Sequence, residues 1–528
     1  MNTAIEKPSG AAGLKALVLV LAWLGVTAWL RPLMLPDEGR YATVALDMLR
    51  SGDWLTPALN GLPFFHKPPL FYWISGAVMM ALGPTALAAR AASLLGATLG
   101  ALSLYLFARR WCGVASARRG LLTLAVQPLF FIGAQFANLD MLVAGCITAT
   151  VAALGHAALG FEAGQPHRRA VWLAYALAAL GVLAKGLIGL VLPAMIVGLW
   201  LIARRRWRTL LALLSPSGTV LFLVIGAPWF ALMQQRFGGF LHYFFVVQHF
   251  ERFAEGGFNN VQPFWFYPVA LVLCSLPCIA WARQALTRGY WRAGGTLGGV
   301  RLLMALTVGC VALFFSLPQS KLIGYILPAV PALAWLMADA SAAATASPRG
   351  WRWWRVCLAF SACLGLAVVL LTALVPKLDS HNAGLMRRMG LTLKQQRQTG
   401  EPVVMVRQYL YSLPFYAGLK QPALVVDDWQ DPDIARHDSW RRELLDAAAF
   451  DPALARRTLV APQALLAALC RADVAWVAGD AQTRQAFPWL ARADPVFSEH
   501  GQILWRVQAR QFGQPNCAKT PNGGSTDK

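Results

Sequence analysis

The sequence predicts a polytopic α-helical membrane protein of about 11–13 spans, followed by a small α/β domain. Three observations carry that expectation. Hydrophobic residues fill 57% of the 528 positions and charged residues only 14%, and the mean hydropathy is +0.49, a composition foreign to soluble enzymes. Apolar runs of spanning length recur as far as residue 376, with arginine clusters at every second loop, which is the asymmetry that the positive-inside rule demands. Beyond residue 377 short β-branched runs alternate with polar helical stretches, a pattern of strands and helices rather than of spans. The net charge of +22 is dispersed through short loops, so it reads as orientation rather than as a nucleic-acid surface. It also favours anionic membrane lipids and phosphate-bearing substrates.

Taken in order, residues 14–30 form a first apolar run with no small-residue cleavage site after it, hence a retained span. Lys7 and Lys15 place the N-terminus in the cytoplasm, so the polar stretch 35–73 falls on the periplasmic side. The run 69–83 is short for a crossing and reads as a juxtamembrane or re-entrant helix. Spans follow at 88–108, 120–135, 141–160, 170–184, 187–203, 210–232, 265–282, 300–317, 322–338 and 354–376. Arg109-Arg110, Arg118-Arg119, Arg168-Arg169 and Arg204-Arg205-Arg206 mark cytoplasmic loops. The domains expected are a membrane domain over 1–376 with a periplasmic loop at 32–69, a periplasmic α/β domain over 377–515, and a loose tail over 516–528. In the α/β domain, strands are predicted at 402–406, 423–426, 458–460, 474–477 and 503–507, with helices at 440–449 and 463–468.

Within 35–73, apolar residues at Tyr41, Val44, Ala45, Met48 and Leu49 fit a helix with one buried face. Pro36 suits its start, Asp37 and Glu38 its positive end, and Ser51-Gly52 its stop. Such a helix, placed next to a span, is expected to lie along the membrane surface.

The threading gathers eleven ionisable groups in six clusters on the outer side: Asp37, Glu38 and Arg40; His66 and Lys67; Asp140; Lys185; His249, Glu251 and Arg252; and Lys321, with Tyr325 nearby. Ionisable groups near bilayer depth are costly unless paired, hydrated or employed. Each residue has a plainer reading. Asp37 and Glu38 suit a helix's first turn, Asp140 suits an N-cap or an active-site carboxylate, and a lone Lys67, Lys185 or Lys321 suits an interfacial side chain that snorkels. Three lysines against the orientation rule favour phosphate contacts instead. Lys67, before Pro68-Pro69, stands on a stiff extended corner. His66 and His249 suit either an interfacial position or a metal such as zinc. Seven of the nine cysteines lie in or beside apolar runs as small hydrophobes, while Cys470 and Cys517 could pair in an oxidising compartment. No P-loop, GxSxG or HExxH motif occurs, which argues against nucleotide-driven, serine-esterase and zincin chemistry. A carboxylate among cations at the outer surface suits a lipid phosphate, gripped by lysine and arginine while the acid orients an acceptor.

Taken as a set, Pro36-Asp37-Glu38-Gly39-Arg40-Tyr41, Ser51-Gly52-Asp53-Trp54, Lys67-Pro68-Pro69, Asn138-Leu139-Asp140, Ala184-Lys185-Gly186, His249-Phe250-Glu251-Arg252-Phe253 and Ser320-Lys321-Leu322 with Tyr325 resemble the GT-C glycosyltransferases of the bacterial inner membrane. The resemblance is greatest to the lipid A aminoarabinose transferases (the ArnT family), kin of the protein O-mannosyltransferases. It implies transfer of a sugar from undecaprenyl phosphate to an acceptor at the periplasmic face. In that family the sugar is 4-amino-4-deoxy-L-arabinose, the acceptor is a lipid A phosphate, and the modification confers resistance to polymyxin and other cationic peptides. The resemblance further implies that Asp37 and Asp140 are the essential carboxylates, that Lys67, Arg40 and Tyr325 (with Lys321) hold the donor phosphate, and that Glu38, Lys185, Glu251 and Arg252 line the substrate pocket. The family's metal site would use His249 and the residue before Lys-Pro-Pro. That residue is an acid in the family and His66 here, a departure that points to a His/His zinc pair or to a related sugar such as glucosamine. Two alternatives stand beside this: a transferase with a protein or glycan acceptor, and a transporter for the lipid-linked sugar.

Overall fold

In the computed structural model the described residues are 10–251, 260–342, 344–374, 383–469 and 472–508. They divide into two compact units, one formed by Met1–Arg31 with His66–Leu378, the other by Pro32–Phe65 with Asp379–Lys528.

The first unit is helical. Among the described residues six of its helices are long and apolar enough to cross a membrane: Ala91–Cys112, Leu139–Glu162, Pro216–Arg236, Gly295–Ser316, Ile323–Ala340 and Pro348–Leu374. The expected span at 265–282 is a bent pair, Phe266–Leu273 and Cys278–Leu286, which meet at 119°. The pair counts as a seventh span if taken as one. Of the other expected runs, 120–135 is broken at Gln127 before Pro128, 187–203 is the 16-residue helix Ile188–Ala203, and 69–83 is the 13-residue helix Leu70–Leu82. At about 1.5 Å per residue, 13 residues fall short of a hydrocarbon core of about 30 Å. The chain is thus a multi-pass membrane protein.

Burial sorts the spans. Leu139–Glu162 has 89% of its apolar window buried and Pro348–Leu374 has 17%, so the former is the hub and the latter presents its sides to lipid. The hub packs most closely on Ala91–Cys112, and glycines set the distance. A Cβ on Gly145 would overlap the backbone of Gly96, and Gly100 meets the Gly145 Cα. Gly96 and Gly100 form a GxxxG pair, which lets two backbones touch where lipid gives no hydrophobic drive for association.

The second unit is built on a six-stranded sheet in the order Leu459–Val460, Leu424–Val426, Val403–Val406, Val474–Asp480, Gln502–Gln508 and Asp494–Glu499. The first four strands are parallel and the last two antiparallel. Val404, Val406, Val426, Val477, Trp505 and Leu490 are among its core. All five predicted strands form. The sixth, Asp494–Glu499, escaped prediction because it is an exposed edge strand carrying Pro495 and a bulge beside it.

The helix expected after Pro36 runs from Asp37 to Ser51, with Gly52 left-handed behind it. It belongs to this unit. Besides the predicted face, Ala42, Thr43 and Leu46 are buried, and the Thr43 hydroxyl donates to the Tyr411 carbonyl at 2.7 Å. Asn60 and Gly61 at φ 53° and 79° turn the hairpin Ala58–Leu59/Leu62–Pro63, as an Asn-Gly turn does. Asn60 then clasps Ala423 through both its backbone groups, at 2.9 and 2.8 Å.

Candidate active site

The first unit assembles its charged cluster from three helix ends. Asn138 caps Leu139–Glu162, its side chain accepting from the Asp140 amide at 3.0 Å. The N-cap role that the sequence left open for Asp140 therefore falls to Asn138. Asp140, in the first turn and buried, has its carboxylate at the positive end of the helix, where an anion is stabilised. Lys185 ends Arg168–Lys185, the negative end that suits a cation. Gly186, at φ 100°, turns the chain away through a conformation that glycine alone adopts readily. The Lys185 ammonium is bonded to the Asp140 carboxylate and lies 4.1 Å from the ring centroid of Tyr325, close enough for a cation–π contact.

Tyr325 sits in the tight turn Ile323–Ala329, and its ring lies 5.3 Å from that of Phe315, tilted by 37°. A Cβ on the preceding Gly324 would collide with the Asp140 carboxylate, so the backbone lies directly against the acid. Tyr267 pins the same turn, donating to the Leu322 carbonyl at 3.1 Å.

Lys321 is held by backbone carbonyls. Buried, it points its ammonium at the carbonyls of Pro318 (2.5 Å), Gln262 (2.8 Å) and Gln319 (3.4 Å). Three donors meet three acceptors, so the side chain closes the loop before Tyr325. His66 is buried, its ring 6.2 Å from that of Tyr243, and Lys67 is half-buried just before Leu70–Leu82. The side chains of His249 and Glu251, and Arg252 as a whole, lie outside the described residues, as do Cys470 and Cys517. Among the described residues no three His, Cys, Asp or Glu side chains gather as a metal site.

The second unit holds the other acids. Glu38 is fully buried and accepts from the Met34 amide at 2.9 Å, bracing the entry to its own helix. Arg40 pairs with Asp37 through one terminal nitrogen and with Glu443 through the other. Its guanidinium stands 5.3 Å from the Tyr41 ring and 5.4 Å from the Tyr411 ring. Glu443, on Trp440–Ala448, also accepts from the Tyr411 hydroxyl at 2.5 Å. Burial pulls the Arg40 pKa down, but Glu443, the two tyrosines and Asp37 outweigh it and hold the pKa above its ordinary value. Neither Glu443 nor Tyr411 was foreseeable: 403 residues separate Arg40 from Glu443, and no local pattern ties them.

Comparison with known proteins fits this architecture. Residues 66–231 match the family model described as dolichyl-phosphate-mannose-protein mannosyltransferase. Among curated proteins, the undecaprenyl phosphate-alpha-4-amino-4-deoxy-L-arabinose arabinosyl transferase of Erwinia tasmaniensis is 34% identical over 311 residues, 58% of this chain and 55% of its own. That of Aeromonas salmonicida is 33% identical over 354 residues, 66% and 63% respectively. The matched stretch thus spans a little over half the length of these relatives. The crystal structure of ArnT from Cupriavidus metallidurans bound to undecaprenyl phosphate superposes with a TM-score of 0.76 at 24% identity, covering 96% of this chain and 100% of that one. The chain therefore has the GT-C membrane fold and is a sequence relative of the aminoarabinose transferases.

Proposed function

We propose that the chain is a membrane glycosyltransferase. It moves 4-amino-4-deoxy-L-arabinose, or a related amino sugar such as glucosamine, from undecaprenyl phosphate to a lipid A phosphate, at the periplasmic face of the bacterial inner membrane. The names of its relatives support the donor, and the positive-inside threading supports the face. The observation that carries the reading is the Asp140–Lys185 pair against Tyr325. Three separate stretches of the resemblance converge there on one buried, charged point of the membrane unit, where an idle ion pair would be costly.

In the reaction proposed, an oxygen of the lipid A phosphate attacks the anomeric carbon. The bond from that carbon to the undecaprenyl phosphate oxygen breaks, and its electron pair leaves with undecaprenyl phosphate. The nucleophile is already anionic, so catalysis is positioning plus stabilisation of the departing charge. Lys67 supplies that positive charge. Asp140, held by Lys185 and the helix end, orients the sugar, and Asp37 binds its amine or orients the acceptor. Arg40 is held by Asp37 and Glu443, and Lys321 by backbone carbonyls, so either would reach the donor phosphate only by giving up one of those partners. His66 and His249 would hold a zinc ion through their imidazoles.

Lipid A from a strain lacking the gene, complemented with the wild type or with Asp140→Asn, tests the reading by mass spectrometry. The wild type should restore the amino-sugar adduct and Asp140→Asn should not. An adduct that persists in the deletion strain, or that Asp140→Asn restores in full, rejects it. Translocation of the lipid-linked sugar in proteoliposomes with no glycosidic bond formed would favour a transporter.

A further inference from the structure

We infer that Glu443, in the C-terminal α/β unit, is a positioning residue for the reaction. Through Arg40 it fixes the carboxylate of Asp37. The inference rests on the reading of Asp37 as a working carboxylate.

Four side chains of the second unit form one connected line: the Tyr411 hydroxyl donates to Glu443 at 2.5 Å, Glu443 binds Arg40, and Arg40 binds Asp37. Side-chain exposure rises along it, from 6% at Glu443 through 15% at Arg40 to 27% at Asp37. The buried end anchors and the open end presents a carboxylate. Arg40 has little freedom to do anything else. Both terminal nitrogens face acids, its Nε is buried without a hydrogen-bond partner, and aromatic rings of Tyr41 and Tyr411 flank its plane. An incoming phosphate would have to break one of the two carboxylate pairs to reach it. The backbone on each side is fixed as well. Thr43 is bonded to the Tyr411 carbonyl, and a Cβ on Gly39 would press on the backbone of Ser412. A planar guanidinium clamped by two carboxylates transmits geometry in a way that a flexible ammonium does not.

The test is steady-state kinetics on the purified full chain in detergent, with undecaprenyl phosphate-linked aminoarabinose and lipid A as substrates. Glu443→Gln should lower kcat about tenfold and Glu443→Ala about a hundredfold, with KM for the donor changed less than about threefold, as expected when a catalytic group is misplaced while substrate affinity is kept. Glu443→Asp should recover part of the loss. If Glu443 variants fail to fold, Tyr411→Phe removes a single hydroxyl from the line and should still lower kcat by a few fold. Wild-type kinetics in these variants, or a raised KM with kcat intact, overturns the inference, the latter because it would make Arg40 a donor-phosphate contact. Full activity in Asp37→Asn sinks the parent reading of Asp37. An inactive Asp37→Asn beside indifferent Glu443 variants sinks only the role of Glu443.

Discussion

Lys185 closes one helix and Asp140 opens another, and the two meet as a buried ion pair at 12% and 7% side-chain exposure. Each occupies the helix end that its charge prefers, so the pair serves structure and chemistry at once. Mutation can separate the two. Lys185→Met leaves Asp140 charged and unpaired, which should cost about 3 kcal/mol of stability and abolish transfer. The double change Lys185→Met with Asp140→Asn removes both charges and should regain most of that stability while staying inactive. Thermal melting in detergent, read beside the transfer assay, checks this. A double variant that regains activity would show that the pair only holds the fold.

The contact between Gly145 and Gly96 makes a stability prediction of its own. Gly145→Val has no room, because the atoms in its way are backbone. Overpacking at a tight helix crossing should cost about 1–3 kcal/mol and displace the helix that carries Asp140. Gly309, with open space around its Cα, is the control. Gly309→Ala should melt like the wild type, and detergent-solubilised yield and melting temperature distinguish the two.

Asp47 gives the second unit a pH dependence. Burial pushes its carboxyl up to about 7, against the opposing pull of Arg50 and of the amides of Gly61 and Asn60. The unfolded chain loses that proton near pH 4, whereas the folded unit keeps it to about 7. Between those values the native state binds more protons, so stability falls as pH rises. Melting temperatures should decline from pH 5 to pH 8, and Asp47→Asn should flatten the decline. A variant with the wild-type pH slope would count against Asp47 as its source.

What the sequence disclosed and what it withheld follow from range. Periodicity found the helix after Pro36 and five of the six strands, because burial repeats locally along each element. Motif resemblance pointed to Asp140, Lys185 and Tyr325, which do meet. The partners of Lys321 were hidden, because composition cannot show three carbonyls converging on one ammonium. The line from Tyr411 to Asp37 was invisible, since the segments bearing Tyr411 and Glu443 reach the Pro36–Tyr41 stretch only after the chain has crossed the membrane many times. The Asn60-Gly61 turn and the Gly96-xxx-Gly100 pair are local signals, legible in the sequence itself.

The opposite ends of the helices that carry Asp140 and Tyr325 hold a different kind of charge cluster. Leu139–Glu162 begins near Asp140 and ends at Glu162, which takes Arg204 at 2.9 Å. Ile323–Ala340 begins near Tyr325 and ends near Asp339, which takes Arg301 and the Tyr290 hydroxyl, both at 2.7 Å. A carboxylate at the negative end of a helix is unfavourable by itself, and in each case an arginine offsets it. These clusters lie where the threading puts the cytoplasm, and Asp339 is roughly 20 Å along the chain's helical rise from Tyr325. They should therefore lock the fold without touching the reaction. Arg301→Met leaves Asp339 buried and charged, so it should lower stability by about 3 kcal/mol yet leave kcat per folded molecule at the wild-type value, with the loss suppressed when Asp339→Asn is added. Should Arg301→Met instead cut kcat in protein that melts normally, the two ends of Ile323–Ala340 would be coupled, and Tyr325 would take its position from the cytoplasmic cluster as well as from Phe315 and the turn around it.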